Sequence, residues 1–280
     1  MTSPAIATPP LEAAPRGFLA RRLYGLLLRH VYLLTGSWPR LVEMLYWPII
    51  NMASWGFTSL YVLRKFNNSF AVSGIFVAGV LLNEFFFRTI VGMMLLFLEE
   101  VWSRNLGHLF TSPLNFIDYM IGVLGLSFLR TVISVSLAVV VASYLFGFSL
   151  LSLGWPLTMY LLLLLVSGWW YGMLIIALLL RFGMAAEWTA WMFTWLIIPL
   201  IAPYYPVAIL PGWLQLVSCT LPPTYVFESM KSQIAGNGLR MDYLLISFVL
   251  NIVYFIAASL ILNRAYQGAR KRGGLLQMGE

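Results

Sequence analysis

Charge is what this sequence has least of. Asp, Glu, Lys and Arg together make up 10% of its 280 residues, while hydrophobic residues make up 61%. A water-soluble domain needs roughly a quarter of its residues charged to coat its surface. The mean hydropathy of +0.86 points the same way: most of this surface meets lipid. Cysteine is nearly absent too, and a single Cys219 excludes an intrachain disulfide. Two histidines and two aspartates, Asp118 and Asp242, supply metal-site and acid–base chemistry poorly, and no metal site is expected. A G-x-x-x-x-G-K-[ST] phosphate loop is missing as well, so the chain is not expected to be an enzyme and carries no nucleotide cofactor of its own.

What is present is a series of apolar runs. Crossing the hydrocarbon core takes about 20 apolar residues in a helix, and six segments reach or approach that length. They lie near Leu41–Leu63, Phe70–Leu98, Phe116–Phe146, Trp155–Leu180, Trp188–Ala202 and Tyr243–Leu262. Residues 1–16 are rich in Pro and Ala and lack an apolar core, which predicts a flexible tail rather than a signal peptide. Residues 17–280 then form one transmembrane domain ending in a cytoplasmic tail, 263–280.

The +7 net charge is read by position and not as a nucleic-acid signal. With the N-terminus inside, the inner set is Arg16, Arg21, Arg22, Arg29, Arg40, Arg104, Arg181, Arg264, Arg270, Lys271 and Arg272. The outer set is Arg64, Lys65, Lys231 and Arg240. Eleven against four predicts an all-α integral membrane protein with six transmembrane helices and both termini cytoplasmic.

Residues 17–36 differ from the spans. Arg21, Gly25, Arg29, Tyr32 and Gly36 mark one polar face, and Leu19, Leu23, Leu26, Leu27, Val31 and Leu34 fill the other. This predicts an amphipathic helix lying at the bilayer surface, its basic face toward lipid headgroups. A short signal-anchor span is the alternative, disfavoured by Arg21, Arg22, Arg29 and Arg40.

Two further segments break the pattern of spans. In residues 99–112, Trp102, Leu106, Leu109 and Phe110 share one helix face, while Glu99, Glu100, Ser103, Arg104, Gly107 and His108 take the other. Such a helix suits a groove on a partner protein, and the same pattern fits an interfacial loop helix. In residues 203–238, Pro203, Pro206, Pro211, Pro222 and Pro223 forbid a continuous helix. Ala208–Leu221 and Tyr225–Ile234 are apolar enough to return into the outer leaflet as two re-entrant helices. A hairpin lying on the surface is the alternative.

Charges also fall inside the spans. Glu84 and Arg88 sit four apart on one helix face and can pair. Arg130 lies 12 residues beyond Asp118, about 18 Å up its span. An unpaired charge at the bilayer centre costs at least about 2.5–3.5 kcal/mol. A buried Glu84–Arg88–Arg130 cluster tying the second and third spans together is therefore expected, with substrate contact as its alternative role. Trp169, Trp170, Trp188, Trp191 and Trp195 fit an interfacial belt, or else substrate contact.

The order of these parts resembles the membrane subunits of type-2 ABC exporters, which move drugs, lipids or polysaccharides. Three stretches carry the resemblance: FVAGVLLNEFFF (76–87), FLEEVWSRNLGHLFTSPLNFIDYMIG (97–122) and YYPVAILPGWLQLVSCTLPPTYVFESM (204–230). The resemblance implies two copies of the chain working with two copies of a separate cytoplasmic ATPase, which holds the ATP and Mg. Glu99, Glu100, Trp102, Arg104 and His108 would form the coupling helix, with the Arg181–Glu187 turn as a second inner contact. Tyr204, Tyr205, Pro206, Pro211, Pro222, Pro223 and Glu228 would form an outer gate. A bacterial inner membrane is the implied location, and no nucleic acid is involved. A stand-alone secondary transporter is the first rival, with Glu84 as its candidate coupling carboxylate. A membrane-bound transferase is the second, although Asp118 and Asp242 stand isolated.

Overall fold

The computed structural model describes residues 24–25, 28–30, 32, 36, 38–66, 70–106, 115–147 and 149–272. Residues 1–16, most of the expected interfacial helix 17–36, His108 with the rest of 107–112, and residues 273–280 lie outside them. Among the described residues all regular structure is helical. We number the α-helices α1 (Trp38–Phe66), α2 (Phe70–Trp102), α3 (Phe116–Phe146), α4 (Pro156–Phe182), α5 (Glu187–Ile201), α6 (Gly212–Thr220), α7 (Pro222–Ile234) and α8 (Met241–Lys271).

Among the described residues five helical stretches are long and apolar enough to cross a membrane: Gly74–Trp102, Phe116–Phe146, Pro156–Phe182, Met184–Ile201 and Met241–Lys271. The chain thus has the character of a multi-pass membrane protein. The first expected span is helical, and α1 is 29 residues long, but it falls outside this set. Glu43, Asn51, Arg64 and Lys65 dilute its apolar content.

The five stretches are buried to very different degrees. In α2 the most apolar window is 89% buried, against 22% in α8. This makes α2 the central helix, packed against α1, α3, α4, α5 and α7. α8 instead lies on α4 and α7 and presents Leu245, Phe248, Val249, Ile252, Val253 and Ile256 outward. Water-soluble monomers rarely leave so long an apolar face open, and lipid is its fitting solvent.

Apolar burial does not hold helices together in lipid, so close packing and hydrogen bonds must do so. Gly168 lets α4 approach α2 closely, because a Cβ there would lie 2.6 Å from the Thr89 Cβ. Asn251 of α8 accepts from Ser167 Oγ at 2.9 Å and from Trp170 Nε1 at 3.0 Å through one amide oxygen, tying α8 to α4. Trp169 Nε1 donates to Ser127 Oγ of α3 at 3.1 Å. Two of the tryptophans considered for substrate contact are thus interhelical ties.

The helices alternate in direction, which gathers their ends at two poles. Arg29–Glu100, Trp102–Glu187 and the Phe116–Tyr266 stack mark the basic pole. Gln233–Leu153 and the Arg240–Asp242 pair mark the opposite one.

Candidate functional site

Between the poles, α1, α2 and α5 enclose a cavity of about 200 Å³ lined by Asn51, Trp55, Asn83, Glu84, Trp195 and Tyr204, among others. The 3.6-residue period puts Asn83, Glu84 and Phe87 on the side of α2 facing it. Asn51 Nδ2 donates to Glu84 Oε2 at 3.3 Å, and Arg88 Nε donates to Glu84 Oε1 at 2.6 Å. Glu84 is 4% exposed, so this carboxylate could not stand in the membrane without those two donors. Asn83 Nδ2 donates to the Tyr204 hydroxyl at 2.9 Å, whereas its buried Oδ1 has no partner among the described residues. The Tyr204 ring stacks on Trp55 with centroids 4.9 Å apart. The cavity thus offers aromatic walls, one unused amide acceptor and a neutralised carboxylate, a combination suited to an amphipathic guest with a hydrogen-bond donor.

A smaller cavity of about 60 Å³ lies toward the basic pole, lined by residues including Glu43, Arg88, Glu99, Arg130 and Ser134. Its charges correct the expected three-member cluster. Glu84 and Arg88 do pair, but Arg130 Nη2 donates to Glu99 at 3.0 and 3.2 Å and not to Glu84. The reason is helical pitch. Glu99 lies 15 residues beyond Glu84, about 22 Å along α2, and Arg130 enters the bundle at the level of Glu99. Two separate ion pairs therefore tie α2, with Arg88 and Arg130 bordering the same cavity.

At the basic pole the expected partner-facing acids turn inward. α2 runs on to Trp102, which puts Glu99 and Glu100 in the last turns of a span helix and not on a separate one. Glu100 is 1% exposed. Arg29 grips it at 2.7 and 3.0 Å, and Asn105 Nδ2 adds a third contact at 2.7 Å. Arg29 therefore binds a buried carboxylate instead of serving a headgroup-facing surface. Arg104 follows in a left-handed turn with φ of 53°.

Trp102 and Glu187 do come together, with Trp102 Nε1 3.4 Å from Glu187 Oε2. Half-exposed Trp102 and strongly exposed Trp188 present indole rings at this pole. Arg181 points elsewhere, into a groove between α4 and α8.

At the opposite pole the prolines act as predicted breakers. Pro199 removes an N–H near the end of α5, which stops at Ile201 after 15 residues. That is about 22 Å of helix against a core of about 30 Å. Past it the chain turns through Ala202, with φ of 48°. Its open carbonyls are then met by one side chain. Lys231 Nζ of α7 donates to Ala202 O at 3.0 Å, Tyr205 O at 2.6 Å and Glu228 Oε1 at 2.5 Å. Glu228 also accepts from the Val207 N–H at 3.0 Å.

The Tyr205 hydroxyl donates to Pro199 O at 2.8 Å. Pro206 precedes a 3-10 turn at Val207–Ile209, Pro211 precedes α6, and Pro222 and Pro223 open α7. Gly79 of α2 allows this region its close approach, since a Cβ there would sit 2.6 Å from Pro203 O.

The sequence reading placed Lys231 among the outer charges and gave Asn83, Trp55 and Gly79 no role. A lysine three residues after a glutamate in a proline-flanked apolar helix is the one sequence signal that could have found Lys231. No protein-family model matches this sequence, and no curated protein matches it.

Proposed function

We propose that this chain is the permease subunit of an ATP-driven exporter of the type-2 ABC class, moving an amphipathic drug, lipid or polysaccharide across a bacterial inner membrane. The observation that carries this reading is the junction of Trp102 with Glu187. Two segments expected to meet an ATPase, 85 residues apart in sequence, meet each other at one pole beside exposed Trp188. Two copies of the chain would pair with two copies of an ATPase that binds ATP and Mg. Closure of the ATPases would push this pole, and the paired permeases would alternate their access.

This reading takes α1 as a sixth span, which puts both termini in the cytoplasm. It takes α6 and α7 as re-entrant helices of an outer gate, because the chain past α5 is broken by prolines and its open carbonyls are closed by Lys231. The cavity lined by Asn51, Asn83, Glu84 and Trp195 would belong to the transport path. The secondary-transporter reading is weakened by Glu84, whose two oxygens are already taken by Arg88 and Asn51.

Co-purification with the ATPase encoded beside this chain, followed by hydrolysis and transport assays, tests the proposal. The expected result is a complex with two copies of each subunit, weakened by Trp102→Ala and Trp188→Ala. Charge reversal at Glu99 or Glu100 is a poor probe, because both carboxylates hold the chain's own arginines. A chain that purifies alone and transports under an ion gradient would overturn the reading.

A further inference from the structure

α4 and α8 run side by side in the same direction, and both end in arginine at the basic pole. Between their last turns lies a groove of about 510 Å³. The α4 wall is Leu174, Ala177, Leu178 and Arg181, at spacings of three, one and three, a single helix stripe. The α8 wall follows the same pattern with Ile261, Arg264, Ala265 and Gly268, and Arg272 one turn further.

The α4 wall is apolar toward the membrane with Arg181 near its end, and the α8 wall sets Arg264 between Ile261 and Ala265 with Arg272 at its end. Arg181, Arg264 and Arg272 are exposed, and among the described residues none of them forms an ion pair and no carboxylate lines the groove. This contrasts with Arg29, Arg88 and Arg130, each of which holds a glutamate. Gly268 leaves the floor open, with only the Arg272 guanidinium near the place a Cβ would occupy, at 3.9 Å.

We propose that this groove is a binding site for an anionic phospholipid, with the phosphate held by Arg181, Arg264 and Arg272 and an acyl chain laid along the α4 and α8 stripes. Charge and hydrophobicity both argue for a lipid over a soluble anion. Three guanidiniums without a counter-ion among the described residues match a phosphate, and the adjoining apolar walls open on the lipid-facing side of α8. Basic pockets between helices on the cytoplasmic side are suited to such headgroups. The site is independent of the exporter reading, since it needs neither an ATPase nor transport.

The test is binding of phosphatidylglycerol to the purified full-length chain in detergent, read by native mass spectrometry and by the unfolding temperature. Phosphatidylcholine and free glycerol phosphate serve as separate arms. The expected result is selective retention of phosphatidylglycerol, with stabilisation that glycerol phosphate does not reproduce. Each single Arg→Gln change should weaken retention about fivefold, and the triple variant should lose the selectivity.

Gly268→Leu fills the floor with all charges intact and should weaken retention as much as a single arginine change. Equal retention of the two lipids would overturn the proposal. So would glycerol phosphate stabilising as well as the lipid, which would make the site one for a soluble anion. Loss of selectivity in the arginine variants with none in Gly268→Leu would also overturn it, because diffuse surface charge would then suffice.

Discussion

The two poles of the bundle handle charge in opposite ways. Beyond α5, a single buried ammonium on Lys231 gathers two backbone carbonyls and a carboxylate, and the broken backbone is closed around it. At the basic pole the acids are consumed internally by Arg29 and Arg130, while Trp102, Trp188 and the arginines of α4 and α8 remain outside. One pole is sealed by its polar groups and the other is left with groups to spare. Non-helical backbone survives at membrane depth only where protein satisfies it. On the re-entrant reading the Lys231 knot meets that requirement, whereas the described residues of the basic pole leave Trp102 and Trp188 uncovered.

Breaking the sealed pole should have the largest effect. Lys231→Met leaves Glu228 and two carbonyls without their donor, and should cost about 3–5 kcal/mol of stability, read as a lower unfolding temperature in detergent. An unfolding temperature equal to the parent's would remove Lys231 as the closure of that pole. Gly79→Ala strikes the same region from α2, driving a Cβ against Pro203 O. Backbone cannot yield as a side-chain tip can, so a loss of about 1–3 kcal/mol is expected.

Glu84→Gln tests the cavity between the poles. As a helix tie, Glu84 should cost about 1–3 kcal/mol when its charge is removed; full assembly and stability with lost transport would instead assign it to the substrate. The smallest effect on stability belongs to the open pole. Trp102→Ala, at a half-exposed site, should change stability by no more than about 0.5 kcal/mol while reducing association with the proposed ATPase. A large destabilisation there would make Trp102 a packing residue and blur the contrast between the poles.

Much of the fold is legible in the amino-acid order. The apolar runs mark α2 to α5 and α8 because lipid demands length and apolarity together, and the prolines mark where α5 stops and where α6 and α7 begin. The Glu84–Arg88 pair is legible because a helix turn fixes four-residue neighbours. Arg29–Glu100 and Arg130–Glu99 are not, since their partners lie 71 and 31 residues apart. Helical periodicity places Glu99 and Glu100 on an outward polar face only if the helix has ended before them.

The sequence by itself determined that this is a multi-helix membrane protein, because a chain with so few charges cannot clothe itself in water. Local spacing also determined where its helices bend and stop. Which buried charge meets which partner was decided by tertiary structure alone. Ion pairs between helices depend on the axial level at which two spans cross, and that level is set by packing such as Gly168 against Thr89, not by any local pattern.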